Sequence, residues 1–157
     1  MARHLGVTDG PYRPLLLELA AWRPDPMYEP AALVAAGSPD AHTRARAATL
    51  LGALGGERAP AALVELATDD EPDVRAVACM ALGRLSYWPA ATLMGSLLGD
   101  PAWDVRKAAG EALAAMGAPG TLVLRRWAAG TGGDEYAADM ARQVLELVAL
   151  RSAGRER

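Results

Sequence analysis

Three stretches of the chain align without a gap when slid by 31 residues: Thr43-Arg44 to Gly55, Val74-Arg75 to Ser86, and Val105-Arg106 to Gly117. Arg44, Arg75 and Arg106 fall in register, as do Leu51, Leu82 and Leu113, then Leu54, Leu85 and Met116. Six residues before each arginine stands Ser38, Asp69 or Asp100. The match is one of pattern and position rather than of composition alone. A fixed period of this length marks a repeat array, in which one unit cannot bury its apolar face alone and does so by stacking on the next.

Each unit reads as two helices. Ahead of the arginine segments lie shorter apolar runs, Ala31-Ala32-Leu33-Val34, Ala61-Ala62-Leu63-Val64, and Thr92-Leu93-Met94 with Leu97-Leu98. Their spacing drifts between 30 and 31, which places the length changes in the turns. Pro30, Pro60, Pro89 and Pro119 stand near the starts of these first helices, where a missing N–H costs least. The second helices open with Ser38-Pro39, Asp69-Asp70-Glu71-Pro72 or Asp100-Pro101, read as an N-cap side chain with a proline in the first turn. Gly55-Gly56 and Gly117 stop them. A degenerate fourth unit runs from Thr121 to Ala129, turns at Gly130-Thr131-Gly132-Gly133, and continues from Tyr136 to Leu150. That last helix sets Met140, Val144, Leu147 and Val148 on one face and Asp139, Arg142, Gln143 and Glu146 on another, as a capping helix should. Pro14 to Trp22 reads as the opposite cap, for nine helices in all.

Composition points the same way. The 157 residues contain no Phe, Ile or Asn, with Lys107 the one lysine and Gln143 the one glutamine, so strand-favouring types are reduced mainly to Val, Thr, Tyr and Trp. The 52% hydrophobic content is inflated by Ala, the best helix former and a poor filler of volume. The preference for Arg over Lys reads as the codon bias of a GC-rich, bacterial genome, not as nucleic-acid chemistry. A net charge of -3 and a pI near 5.4 argue against a nucleic-acid partner. Cys79 is the one cysteine, so the chain forms no internal disulfide and no thiolate metal cluster. No run approaches the ~20 apolar residues of a membrane span, and the expectation is a cytoplasmic protein.

The pattern Asp-x-x-x-x-Val-Arg-x-x-Ala-x-x-x-Leu-Gly, carried by Asp69/Val74/Arg75/Leu82/Gly83 and by Asp100/Val105/Arg106/Leu113, resembles the HEAT-like repeats named after the phycobilisome lyases. The Thr-Pro-Leu-His of ankyrin repeats and the Trp/Gly/Tyr signature of tetratricopeptide repeats are both missing. The resemblance implies an all-α, right-handed α-solenoid of about four HEAT-like helical hairpins with an N-terminal capping helix. Its divisions would be a cap over 1–28, repeats over 29–56, 57–87 and 88–117, a degenerate repeat over 118–151 and a tail over 152–157. It further implies that the second helices line a concave surface, which in such families binds a protein.

Against that frame of repeats, few residues offer chemistry. The Arg44/Arg75/Arg106 column invites a phosphate, but arginines alternating with Asp69 and Asp100 are expected to form a structural ladder between adjacent repeats, with Ser38 weakening the first rung. His4 and His42 have no metal-ligand or catalytic spacing, and neither is followed by the Glu that the HEAT-repeat iron hydroxylases use. Cys79 has no histidine near it, and Gly130 to Asp134 is not followed by Lys-Ser/Thr, so neither a thiol nucleophile nor a phosphate cradle is expected. Arg125-Arg126 and Arg151/Arg155/Arg157 read as solvated basic spots.

The remaining candidate is the concave face. With Val74, Val77, Ala78, Leu82 and Leu85 taken as buried, the opposite face of the middle repeat carries Ala76, Cys79, Met80 and Gly83. The register extends this into the columns Ala48/Cys79/Gly110 and Thr49/Met80/Glu111, flanked by Lys107. This strip of small side chains is the expected seat of a protein partner, and Cys79→Trp or Gly110→Arg should block binding without harming the fold. Glu65→Lys, on a first helix, should matter little. Trp88, beside Tyr87, and Trp103 stand at inter-helix turns as further contact candidates if exposed. The expected function is a non-enzymatic interaction module or scaffold without cofactor or metal. A bilin-lyase-like subunit is the alternative, and a DNA-repair solenoid a more distant one.

Overall fold

The computed structural model describes residues 13–130 and 134–155, and every regular element within them is helical. Nine helices follow in order: α1 (Arg13–Trp22), α2 (Glu29–Ala36), α3 (Ala41–Leu54), α4 (Ala59–Leu66), α5 (Pro72–Arg84), α6 (Ala91–Leu97), α7 (Trp103–Ala115), α8 (Ala118–Ala128) and α9 (Glu135–Arg155). Single 3-10 turns at Pro26–Tyr28 and Trp88–Ala90 lead into α2 and α6. The helices form two layers. In the inner layer α1 packs on α3, α3 on α5, α5 on α7, and α9 closes against α7. The outer layer, α2, α4, α6 and α8, is held chiefly through its inner partners. This is the α-solenoid that the period requires.

The core lies between the layers. Leu51, Leu82 and Leu113 are all fully buried, as are Val74 and Val105, with Thr43 at the equivalent place nearly so. From the outer layer Leu63, Met94, Leu98 and Leu124 meet them. Cutting any of these leucines to Ala costs about 2–5 kcal/mol. Ala makes up much of the rest, so the layers approach closely and the core is thin. Consecutive inner helices come nearest at Gly52 and Gly83. A Cβ on Gly52 would lie 2.6 Å from the Cβ of Ala81, and one on Gly83 would lie 2.6 Å from the Cα of Ala112.

The turns into the inner helices differ from the sequence expectation. Asp40, not Ser38, caps α3: its carboxylate accepts from the Thr43 N–H at 2.8 Å and from the Thr43 hydroxyl at 2.6 Å. Glu71 and Ala102 hold the N-cap positions of α5 and α7 without a side-chain cap bond. Asp69 and Asp100 stand two residues earlier and fold the turn instead, accepting from the N–H groups of Glu71 at 2.9 Å and Ala102 at 2.8 Å. At the other end, Gly55, Ser86 and Gly117 share one register and all take positive φ, at 64°, 50° and 71°. Ser86 closes α5 with the paired bonds of a Schellman turn, its N–H donating to Gly83 O and that of Tyr87 to Leu82 O.

The first helix follows the repeat register. Arg13 lies 31 residues before Arg44 and is buried, so α1 occupies the place of an inner helix in the repeat register. Helix α9 continues through Arg155, which shortens the expected tail over 152–157. His4, Thr131 to Gly133 and Arg157 lie outside the described residues.

Candidate functional site

Each inner-helix arginine ties two repeats together. Nε of Arg44 donates to Oδ2 of Asp69 at 2.7 Å and Nη2 to Oδ1 at 2.8 Å, while Nη1 reaches back to the carbonyls of Ser38 and Pro39. Arg75 repeats this on Asp100, both bonds at 2.9 Å, and on the carbonyls of Asp69 and Asp70. The bonded pairs are thus 25 residues apart, the carboxylate coming from the following repeat. Arg106 makes the backbone half of the pattern, to Asp100 O and Pro101 O, and its guanidinium stands 5.9 Å from the ring centre of Tyr136. The side-chain bond from Arg44 holds the Asp69 carboxyl below the usual carboxylate range, against the desolvation that would raise it. The guanidinium donors of Arg44 and Arg75 are committed to these bonds, leaving a phosphate little to bind.

The small-residue column requires a correction. Ala48 and Cys79 have no exposed surface, and Gly110 is buried with them. A Cβ on Gly110 would lie 2.6 Å from Cγ2 of Val144 in α9. Burial pushes the Cys79 thiol up to about 12. The column is therefore packing between neighbouring helices, not a face open to a partner. The physical reason is enclosure. An inner helix is covered by its outer partner and by an inner neighbour on each side, so only a narrow strip remains free. Val77 and Leu85, expected inside, are half-buried instead.

Among the other residues assigned to that face, Met80, Lys107 and Glu111 are exposed, Thr49 is half-buried and Ala76 is nearly covered. The free strip holds a shallow groove of about 290 Å³, lined by His42, Ala45, Arg46, Thr49, Asp73, Ala76, Val77 and Asp104. Its floor is small and mostly uncharged. One rim is formed by His42, Asp73 and Asp104, which share a register at the starts of α3, α5 and α7. Sequence reasoning weighed His42 only as a metal ligand or catalytic base and passed over Asp73 and Asp104, although the 31-residue interval relates all three. Arg46 pairs with Glu18 of α1 at 3.5 Å. Trp103 and Trp88 are both exposed, and the Lys107 ammonium lies 5.3 Å from the Trp103 ring centre. A larger hollow of about 670 Å³ opens on the other side of the molecule between α2 and α4, where Leu33, Ala62 and Leu66 sit beneath Glu57, Arg58 and Glu65. Among the described residues no helix is long and apolar enough to cross a membrane, and no group of His, Cys, Asp or Glu is placed to hold a metal ion.

Two stacked layers of helices, repeating every 31 residues and stitched by Arg–Asp pairs, define an α-solenoid of helical hairpins. The model of the HEAT repeats family matches residues 12–75 and 61–146, and the chain belongs to that family. No curated protein matches the sequence. HEAT repeats commonly serve as protein-interaction scaffolds.

Proposed function

We propose that this protein is a non-enzymatic interaction module that receives a segment of another protein along the free strip of its inner helices. The carrying observation is the groove, whose floor of Ala45, Thr49, Ala76 and Val77 lies beside the acidic rim of Asp73 and Asp104. Exposed Met80 stands in register with Thr49 and adds an adaptable apolar contact. Small side chains let a second backbone come close, and shedding water from them costs little. The carboxylates repel a nucleic-acid backbone and favour a segment that brings cationic side chains to that rim.

The test is affinity for a partner recovered from the native host. Thr49→Arg and Met80→Arg fill or charge the strip while leaving the buried faces alone, and each should weaken binding by at least tenfold. Glu65→Lys, at the hollow between α2 and α4, should leave it unchanged. The reverse pattern would move the functional face to the outer layer.

A further inference from the structure

Both ends of the inner layer leave a helix face uncovered. On α9 that face mixes Asp139, Arg142, Gln143 and Glu146 with exposed Tyr136, Leu147 and Leu150. Helix α1 instead exposes Leu15, Leu19 and Trp22, which recur at i, i+4 and i+7 and so form one stripe. Leu19 is in register with Leu50, Ala81 and Ala112, which are 0%, 2% and 2% exposed because a preceding inner helix covers them; Leu19 is 49% exposed. Trp22, at 81%, projects farthest. Beside the stripe lies a hollow of about 500 Å³ lined by Leu19, Ala20, Arg23, Pro24, Asp25 and Tyr28.

We propose that this edge binds a second copy of the chain, α1 against α1 about a two-fold axis. A surface that meets itself must carry both halves of each contact. This one carries a knob, Trp22, beside a hollow that shares Leu19 with the stripe, and its rim bears one charge of each sign, Arg23 and Asp25. Trp22 of each copy enters the hollow of the other, and Arg23 faces Asp25 across the axis. Head-to-tail stacking of α1 on α9 would continue into open polymers, whereas the two-fold contact closes at the dimer. The stripe spans only about two helical turns, so the pair is a reversible dimer in the micromolar range rather than an obligate one. None of this depends on the groove between α3 and α5.

Sedimentation velocity of the full chain across a wide concentration series tests it. The expected result is a monomer–dimer equilibrium that Trp22→Glu weakens by about 30-fold or more, as for a central aromatic anchor. Val34→Glu, an exposed apolar site on α2, should leave it intact, with circular dichroism showing all three proteins folded. A parent that stays monomeric at every concentration overturns the proposal. If Trp22→Glu then also lowers the melting temperature, the edge is covered within the chain by residues before Arg13. A Trp22→Glu protein that dimerises like the parent overturns it as well.

Discussion

The guanidinium of Arg75 meets the carboxylate of Asp100 side-on, Nε to one oxygen and Nη2 to the other, with side chains only 13% and 6% exposed. Removing the arginine leaves a nearly buried carboxylate without its main donor and frees two turn carbonyls. Arg75→Ala should therefore cost about 3 kcal/mol in urea unfolding. Arg75→Lys keeps the charge but not the fork, and should recover only part. An unchanged midpoint for Arg75→Ala would mean that the pair contributes nothing to the fold.

The equivalent pair in the preceding repeat makes stability depend on acid. Hydrogen bonding from Arg44 lowers the folded-state pKa of Asp69, and bonding from Thr43 lowers that of Asp40. A group with a depressed folded value contributes its full stability above its unfolded pKa, about 3.9 for Asp, and loses it as pH falls through the folded value. The unfolding midpoint should hold steady from pH 7 to about 5 and fall steeply below about 4. Asp69→Asn should be less stable at neutral pH and show a shallower acid limb. Parallel acid limbs for the two proteins would count against the assignment.

Ser86 takes φ of 50° where Gly55 and Gly117 occupy the same place in their repeats. A side chain in the left-handed region costs about 1 kcal/mol, partly offset by the extra freedom glycine gives the unfolded chain. Ser86→Gly should raise stability by about 0.5–1 kcal/mol, whereas Gly55→Ala should lower it. Thermal melts of the two variants give the signs directly.

Gly110→Arg and Cys79→Trp put bulk into closed contacts and should destabilise the fold rather than merely block a partner. Gly83→Ala is the gentler probe, since its added Cβ would meet the backbone of Ala112 and force α5 and α7 apart. A loss of about 1–3 kcal/mol is expected. If Gly110→Arg melts like the parent, α9 does not cover that position.

Cys79 should be inert while the protein is folded. With its thiol pushed up to about 12 and no exposed surface, it carries almost no thiolate at pH 8. Labelling by a thiol reagent should track unfolding across a denaturant series. Rapid labelling under native conditions would contradict the packing of α5.

The hairpins, their order and the fully buried Leu51/Leu82/Leu113 column were legible because each depends on a spacing. The Arg–Asp stitching was legible in kind but not in offset: the six-residue separation of Asp69 from Arg75 is conspicuous in the chain, while the bonding runs 25 residues forward from Arg44. Arg13 was missed because Ala20 stands where the later repeats carry Leu51, Leu82 and Leu113, and Ala21 where two of the three carry Gly, so the pattern weakens around it. The face of Cys79 was misjudged for a different reason. Periodicity finds one apolar side of a helix, but an inner helix has three covered sides, and alanine serves equally on a covered or an open one. Asp73 and Asp104 are identical, but His42 breaks the column in the first repeat, so position alone joins the three.

The glycine contacts between α3 and α5 and between α5 and α7 also set a shape. Inner helices touch along their length where Gly52 meets Ala81 and Gly83 meets Ala112, while α4 and α6 in the outer layer scarcely meet. Each repeat is thus a wedge with its thin side inward, and the stack must bend toward that side. The taper is set by the size of two or three side chains, so a methyl group added at Gly52 or Gly83 acts like a shim in an arch. It would open the curve, widen the spacing of His42 from Asp73 or of Asp73 from Asp104, and so change the length of the segment that the groove can follow.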